Sequence, residues 1–268
     1  MAEDLARIVP DEEDPKTEEA SPAGDGSPPY QSRFQLLFGV LLGVAMAAVV
    51  ATALVIADGR KEEDPGAVSW AAWHPSASDG LEAVNQIAEH VGQRYTLPSG
   101  NQLVGVRGGP LELANLPVTI AVQQQGNVKI LDQKGVLFNL CGLGKNCSIK
   151  EGKPTYERSL VVRREALELA LYTFRYIKNV EQVVVILPPD PRKNQKPSYA
   201  MFFRRNDVGA SLNRPLAATL PGNPPVPPDV SKGEQAFINS LTSQNLFAYT
   251  PQEGGDAHIY LVLSRPSG

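Results

Sequence analysis

The sequence predicts an α+β protein: one N-terminal transmembrane helix, then a domain in which about three helices pack on a mixed or antiparallel sheet. Two observations lead to this fold class. Residues 34–57 carry no charge and only one polar amide, Gln35. After residue 79, helical and extended patterns follow in the order helix then strands, three times over, which is typical of α+β proteins. No residue-level repeat accompanies that order.

Residues 34–57 are long enough to cross a bilayer as a helix. A hydrocarbon core about 30 Å thick needs about 20 helical residues, and a helix satisfies its own backbone groups in lipid. The alternative is a cleaved signal peptide, whose apolar stretch is only about 7–15 residues long and follows a short basic start. Because the long acidic segment 1–33 precedes this span, we predict a single-pass anchor with the lipid bilayer as a partner.

Segment 1–33 has too little apolar content to fold and is predicted to be a disordered cytoplasmic tail. Basic residues near the span do not decide its orientation, because two lie on each side: Lys16, Arg33, Arg60 and Lys61. A short disordered tail inside and a folded domain outside is the commoner arrangement for one N-terminal span. We therefore expect an extracytoplasmic domain at the cell membrane, with the inverted topology as the alternative.

Small residues recur at every fourth position of the span: Gly39, Gly43, Ala47 and Ala51. They lie on one helix face, and such faces let two helices approach closely in lipid. One interpretation is a dimer of this chain, or contact with another membrane protein. The other is that glycine and alanine are simply common in spanning helices.

A tether, residues 58–78, joins the span to the domain. It contains Trp70 and Trp73, which could lie at the membrane interface or cover the core of the domain. The core is favoured, because Glu62, Glu63 and Asp64 separate these rings from the bilayer.

Three helices are predicted, over 80–95, from Arg163 to Lys178, and near 231–244. Asp79 is a suitable N-cap for the first. Apolar residues of the first helix form one stripe: Leu81, Val84, Ile87, Ala88, Val91 and Tyr95. Those of the second form another: Leu167, Leu171, Phe174 and Ile177.

Strands are predicted wherever short apolar runs lie between turn residues: 102–107, 116–124, 127–131, 135–140, 181–187, 199–204, 246–250 and 258–263. The proline-rich stretch 221–230 is predicted to be an extended connector. It divides an α+β region, 79–220, from a final helix and strand hairpin, 231–268, that completes the domain. The connector is the expected seam if the domain has two parts.

Cys141 and Cys147, the only cysteines, enclose a loop that contains two glycines. Outside the cytoplasm they should form a structural disulfide. Redox-active thiols are one alternative, although these normally show a C-x-x-C spacing. A metal site is another, but it needs about four ligands and the histidines are isolated in sequence, so no metal is expected.

Basic residues within and after the cysteine loop form a possible anion-binding set: Lys145, Lys150, Lys153, Arg158, Arg163 and Arg164. The start of a helix presents free N–H groups to an anion. A basic surface could also meet an anionic envelope surface, either lipid headgroups or a polymer. The alternative is a solvated face whose charges pair with Glu157, Glu165 and Glu168.

Motifs for known chemistry are absent from the sequence. It has no G-x-S-x-G, H-E-x-x-H or S-x-x-K motif, and its glycine loops lack the spacing of phosphate or dinucleotide sites. His74, His90 and His258 are each more typical of structural or surface histidines than of catalysts. No cofactor is expected, and no aromatic-plus-basic signature indicates nucleic acid.

Three stretches carry a family resemblance. The string LCGLGKNCSIKEGKP, the helix RREALELALYTFRY and the W-x-x-W-H-P tether resemble a group of uncharacterised single-pass membrane proteins of actinobacteria. The resemblance covers most of the chain after the anchor. It implies a protein of the bacterial envelope and brings no activity, ligand or catalytic residue.

The functional expectation is therefore a membrane-anchored, extracytoplasmic binding or scaffolding protein of the bacterial envelope, without enzymatic activity. One alternative is an envelope enzyme whose site is assembled from residues far apart in sequence. The other is a cytosolic thiol sensor, which would require the inverted topology.

Overall fold

The computed structural model describes residues 69–113, 116–124, 126–189, 198–255 and 258–266. They belong to one compact unit that begins at Ala67. The predicted tail 1–33, the span 34–57 and its small-residue face lie outside the described residues. Of the helices that are described, none has both the length and the apolar character needed to cross a bilayer.

The described residues form five α-helices: α1 (Gly80–Arg94), α2 (Tyr156–Tyr176), α3 (Gly209–Leu212), α4 (Leu216–Thr219) and α5 (Lys232–Thr242). The α+β class is confirmed. The expectation of about three helices is too low, because α3 and α4 are four-residue turns, too short to produce a periodic apolar pattern.

Nine strands form a single sheet: β1 (Gly105–Pro110), β2 (Glu112–Leu113), β3 (Leu116–Gln124), β4 (Asn127–Leu131), β5 (Gly135–Cys141), β6 (Gln182–Ile186), β7 (Ser198–Arg204), β8 (Leu246–Glu253) and β9 (Ile259–Ser264). Their order is β1-β5-β6-β7-β8-β9-β3-β2, and β4 pairs with β3. The pairs β5–β6 and β3–β9 are parallel, and the others are antiparallel. The sheet is therefore mixed, as predicted.

One face of the sheet is covered by α1 and α2. In α1 the predicted stripe is buried except for Leu81, which lies in the first turn and is 56% exposed. Asp79 occupies the N-cap position, but its side chain makes no capping hydrogen bond. The helix packs very closely on β1, since a Cβ at Gly108 would lie 2.4 Å from Val84 Cγ1 and 2.6 Å from Phe138 Cε1. Only glycine fits at that position.

Helix α2 connects the parallel strands β5 and β6 and is buried on nearly all sides. It begins at Tyr156 rather than at the predicted Arg163, because the Thr155 side chain caps it by accepting a hydrogen bond from Arg158 N. Its first turn is polar and so lies outside the apolar stripe on which the prediction depended.

The opposite face of the sheet encloses a second core made of strand residues alone, among them Ile120, Leu137, Val184, Phe202 and Leu261. Ile120, Val184 and Leu261 have no exposed surface, and no described helix contributes to this cluster. The sheet must therefore curve so that strands of its two halves cover each other.

The described part of the tether packs onto the domain through its aromatic rings. Trp70 is 7% exposed and makes edge contacts with Tyr172 and Tyr176 at 5.4 and 5.7 Å. Trp73 stacks on His90 with ring centroids 3.9 Å apart. The prediction that these tryptophans cover the core is confirmed.

The proline connector does not separate two sheets. It lies between α4 and α5, contains the cis peptide Pro227–Pro228, and is followed by β8 and β9. Strand β8 pairs with β7 and β9 pairs with β3, so residues from both sides of the connector build the same sheet.

Candidate functional site

The cysteine loop is closed by a disulfide between Cys141 and Cys147, whose Cα atoms lie 4.6 Å apart. The predicted bond is confirmed. The loop is tight: a Cβ at Gly142 would lie 2.3 Å from the carbonyl oxygen of Ser148, so glycine is required there. Because Cys141 ends β5, the bond fixes this loop at the edge of the sheet where α2 begins.

A pocket of about 330 Å³ opens beside this loop, and we call it the α2 pocket. Strands β5 and β6 are parallel, so their carboxyl ends lie at the same sheet edge, where α2 starts. Ligands commonly bind beyond the carboxyl ends of parallel strands. Gly142 and Ile149 border the pocket on the side of the cysteine loop, and Pro188 and Pro189 border it beyond β6.

The walls of the α2 pocket are mainly apolar and contain two arginines. The apolar lining includes Val162, Leu187 and Leu246, and Leu246 belongs to β8. Arg158 and Arg163 also line the pocket, and the described residues of the lining include no aspartate or glutamate. An apolar pocket with a few polar groups is the usual character of a small-molecule site.

Arg158 and Arg163 are 7% and 6% exposed, yet neither forms an ion pair within the described chain. Arg158 donates to the carbonyl oxygens of Glu151 and Leu103 at 2.8 and 2.9 Å. Burial lowers the pKa of both guanidinium groups, and the Glu151 carboxylate partly offsets this for Arg158. The two groups nevertheless stay protonated, as arginine does in proteins.

Only three members of the predicted anion-binding set are surface residues. The lysines at 145, 150 and 153 are exposed, whereas Arg158, Arg163 and Arg164 are buried in α2. The six therefore do not form one continuous surface. Arg158 and Arg163 come together in the α2 pocket, and Arg164 lies in a separate cluster. Whether any of the six binds an anion stays a prediction.

That second cluster, which we call the Glu168 cluster, joins α2 to the end of α1. Glu168 has no exposed side-chain surface and forms ion pairs with Arg94 and, at 3.6 Å, with Arg164. The Tyr95 hydroxyl donates to Glu168 at 2.6 Å and accepts from Arg164 at 2.7 Å. Burial, then the Glu168 carboxylate, raises the pKa of Tyr95 well above its usual value, so the phenol remains a donor.

Glu165 is also fully buried, and neither of its carboxylate oxygens has a hydrogen-bond partner in the described chain. Burial, reinforced by the nearby Glu168 carboxylate, raises the pKa of Glu165 well above its usual range. Its predicted pairing with an arginine is therefore not observed, because the arginines point to other partners.

None of the three histidines lines the α2 pocket. His90 stacks on Trp73, and burial followed by Arg94 lowers the pKa of its imidazole. His258 shares a hydrogen bond with the Thr119 hydroxyl, and His74 lies against the carbonyl oxygen of Pro75. The described residues contain no cluster of three or more His, Cys, Asp or Glu able to hold a metal ion.

The chain matches no protein-family model, no curated protein and no solved structure. Its site must therefore be interpreted from its own geometry.

Sequence reasoning identified Arg158 and Arg163 but missed the apolar walls of the α2 pocket. From the sequence alone, nothing distinguishes Val162, Leu187 and Leu246 from ordinary core residues. The signal that could have been used is the β5–α2–β6 order, since a helix crossover between buried strands predicts a parallel pair and a site at its carboxyl end.

Proposed function

We propose that this chain is a non-enzymatic, membrane-anchored binding protein of the bacterial envelope, and that its extracytoplasmic domain binds a small molecule with an apolar part in the α2 pocket. The pocket carries this proposal. Its volume of about 330 Å³ lies at the lower end of the range of small-molecule sites. Its position beside a disulfide-fixed loop gives it a rigid wall.

Three further observations support the placement of the protein. The Cys141–Cys147 bond fits an oxidising compartment. The apolar segment 34–57 provides an anchor in the bilayer, and the resemblance to actinobacterial membrane proteins favours an envelope. The exposed lysines at 145, 150 and 153 are a proposed second contact, with an anionic envelope surface.

The location can be tested by alkylating intact cells under denaturing conditions and measuring the mass of the chain with and without reduction. We expect alkylation of Cys141 and Cys147 only after reduction. Direct alkylation of both thiols in the absence of reductant would contradict the extracytoplasmic placement and favour the cytosolic thiol sensor.

Occupation of the α2 pocket can be tested by methyl NMR on the full chain in nanodiscs of zwitterionic lipid. Hexanol is a suitable uncharged probe, and the methyl groups of Val162 and Leu187 report on the pocket directly. We expect saturable shifts at these positions. The variant Ser159→Phe places a ring at the pocket wall and should weaken the apparent affinity by about tenfold, or about 1.4 kcal/mol.

Ser240→Phe is a matched control. Both serines are exposed on a helix, and both hydroxyls donate to the carbonyl oxygen three residues earlier, at 2.6 Å for Ser159 and 2.7 Å for Ser240. Ser240 does not line the pocket, so its variant should bind hexanol like the unmodified chain. The absence of saturable shifts, or equal weakening by both variants, would refute the proposal.

A further inference from the structure

Arg163 differs in its partners from Arg164, the buried arginine that follows it in α2. Arg164 is balanced by the Glu168 carboxylate at 3.6 Å. Among the described residues, the Nη2 of Arg163 donates to neutral oxygens only, Asn239 Oδ1 at 3.1 Å and Thr242 Oγ1 at 2.6 Å. Its Nε is buried and has no partner among the described residues.

A buried charge without a counterion is unfavourable, because it loses hydration and gains no attraction in return. Hydrogen bonds to an amide and a hydroxyl supply part of what water supplied. They bring no negative charge. An anion in the α2 pocket would supply that negative charge.

The start of α2, like Arg163, favours an anion in the pocket. This helix has 21 residues, and the N-terminus of a long helix carries a partial positive charge and free N–H groups. Thr155 and Tyr156, at its first turn, line the pocket together with Arg163. The only acid in that turn, Glu157, is not part of the lining.

The remaining walls are mainly apolar, although the side chains of Ser159 and Tyr199 also belong to the lining. Val162, Leu187, Pro188 and Leu246 offer no charge and no side-chain hydrogen bond. A ligand that fits both parts must combine an anionic group with a hydrocarbon group. A free inorganic anion would leave the apolar walls unused, and a neutral hydrocarbon would leave Arg163 unbalanced.

We propose that the α2 pocket binds an amphipathic anion, with a carboxylate or phosphate group at Arg163 and the start of α2 and a short hydrocarbon group along Val162, Leu187 and Leu246. This inference rests on the proposed function and adds the charge and shape of the ligand. Arginine matches carboxylate and phosphate equally well, since its planar fork can donate two parallel hydrogen bonds to either.

The test uses three probes of equal chain length on the full chain in zwitterionic nanodiscs: hexanoate, hexyl phosphate and hexanol. Dissociation constants are obtained from the Val162 and Leu187 methyl shifts and referred to free probe concentration. We expect at least one of the two anions to bind about tenfold more tightly than hexanol. The stronger of the two anions identifies the head group.

The variant Arg163→Gln removes the charge but keeps an N–H donor for Asn239 and Thr242. It should abolish the preference for the anion and leave hexanol binding unchanged, whereas Arg163→Lys should retain most of the preference. Lys178→Gln removes an exposed charge outside the pocket and should have no effect. This control separates the pocket from the general basic character of the surface.

The outcomes are distinguishable. Equal affinity for hexanol and both anions in the unmodified chain would overturn the charge inference and leave the binding function intact. No saturable shift with any probe would overturn both. If Arg163→Gln does not fold, the comparison of probes on the unmodified chain still decides the question.

Discussion

The two buried clusters of α2 lie within ten residues of each other and use the same residue types, yet they are built differently. In the Glu168 cluster, one carboxylate forms ion pairs with two arginines and accepts a hydrogen bond from a tyrosine. In the α2 pocket, Arg158 and Arg163 donate to carbonyl, amide and hydroxyl oxygens, and no carboxylate of the described residues pairs with them. The first cluster thus contains a counterion for its buried arginine, and among the described residues the second does not.

This difference separates structure from binding. A buried network whose arginine already has a counterion joins elements of the fold, here α1 to α2. It needs no ligand to supply a negative charge. An unbalanced cation beside a cavity retains an electrostatic requirement that a ligand can meet. Burial of an arginine alone therefore does not indicate a binding site; the absence of a counterion, together with adjacent space, does.

The largest expected effect tests the structural role of the Glu168 cluster. Replacing Glu168 with Gln leaves Arg164, which is 2% exposed, without a counterion. Loss of one partner of a buried ion pair typically costs about 3–5 kcal/mol. We expect the free energy of unfolding of the full chain to fall by that amount in urea titrations followed by tryptophan fluorescence, to which Trp70 and Trp73 contribute.

The exposed Glu89, which accepts a hydrogen bond from Gln93 at 3.2 Å on α1, supplies the control. Glu89→Gln should change stability by no more than about 0.5 kcal/mol. If Glu168→Gln had an equally small effect, the Glu168 cluster would not be the structural network that its contacts indicate. Hexanol binding in the α2 pocket should be unchanged in the Glu168 variant, provided that it is folded at the temperature of measurement.

Much of the fold could be predicted because its signals are local. Strands β3 and β4 were predicted with the bounds observed, 116–124 and 127–131, because turn residues delimit them. The strand predicted over 102–107 is instead β1, Gly105–Pro110. Its glycines leave no alternation of apolar and polar side chains, and at Gly108 a glycine is required because Val84 of α1 packs against the backbone.

The site was less predictable, because it depends on which elements become neighbours. Sequence reasoning placed Arg158, Arg163 and Arg164 on one basic surface with the lysines. The true start of α2, at Tyr156, carries all three arginines into the interior and divides them between two clusters. Leu246 reaches the pocket only through the pairing of β7 with β8. No local pattern encodes that pairing.

A smaller effect, which depends on pH, concerns Glu165. Among the described residues, this is the buried acid that lies outside both clusters. Neither carboxylate oxygen of Glu165 has a hydrogen-bond partner among the described residues, and burial followed by Glu168 raises the pKa of Glu165 in the folded state. Between the unfolded pKa of about 4.3 and this raised value, the folded state binds more protons than the unfolded state. Stability contributed by the protonated form is thus complete at low pH and declines as pH rises, by about 1.4 kcal/mol per pH unit within that window.

Glu165→Gln keeps the shape of the neutral acid and cannot ionise, so it should remove this decline. Its advantage over the unmodified chain in urea titrations should be near zero at pH 4 and should grow steadily towards pH 7. Glu157→Gln, a partly exposed acid in the first turn of the same helix, should instead follow the unmodified chain. Parallel profiles for Glu165→Gln and the unmodified chain would mean that Glu165 ionises freely in the folded state. The interior of α2 would then hold a negative charge that its contacts do not reveal, and the contrast between a balanced and an unbalanced cluster would have to be abandoned.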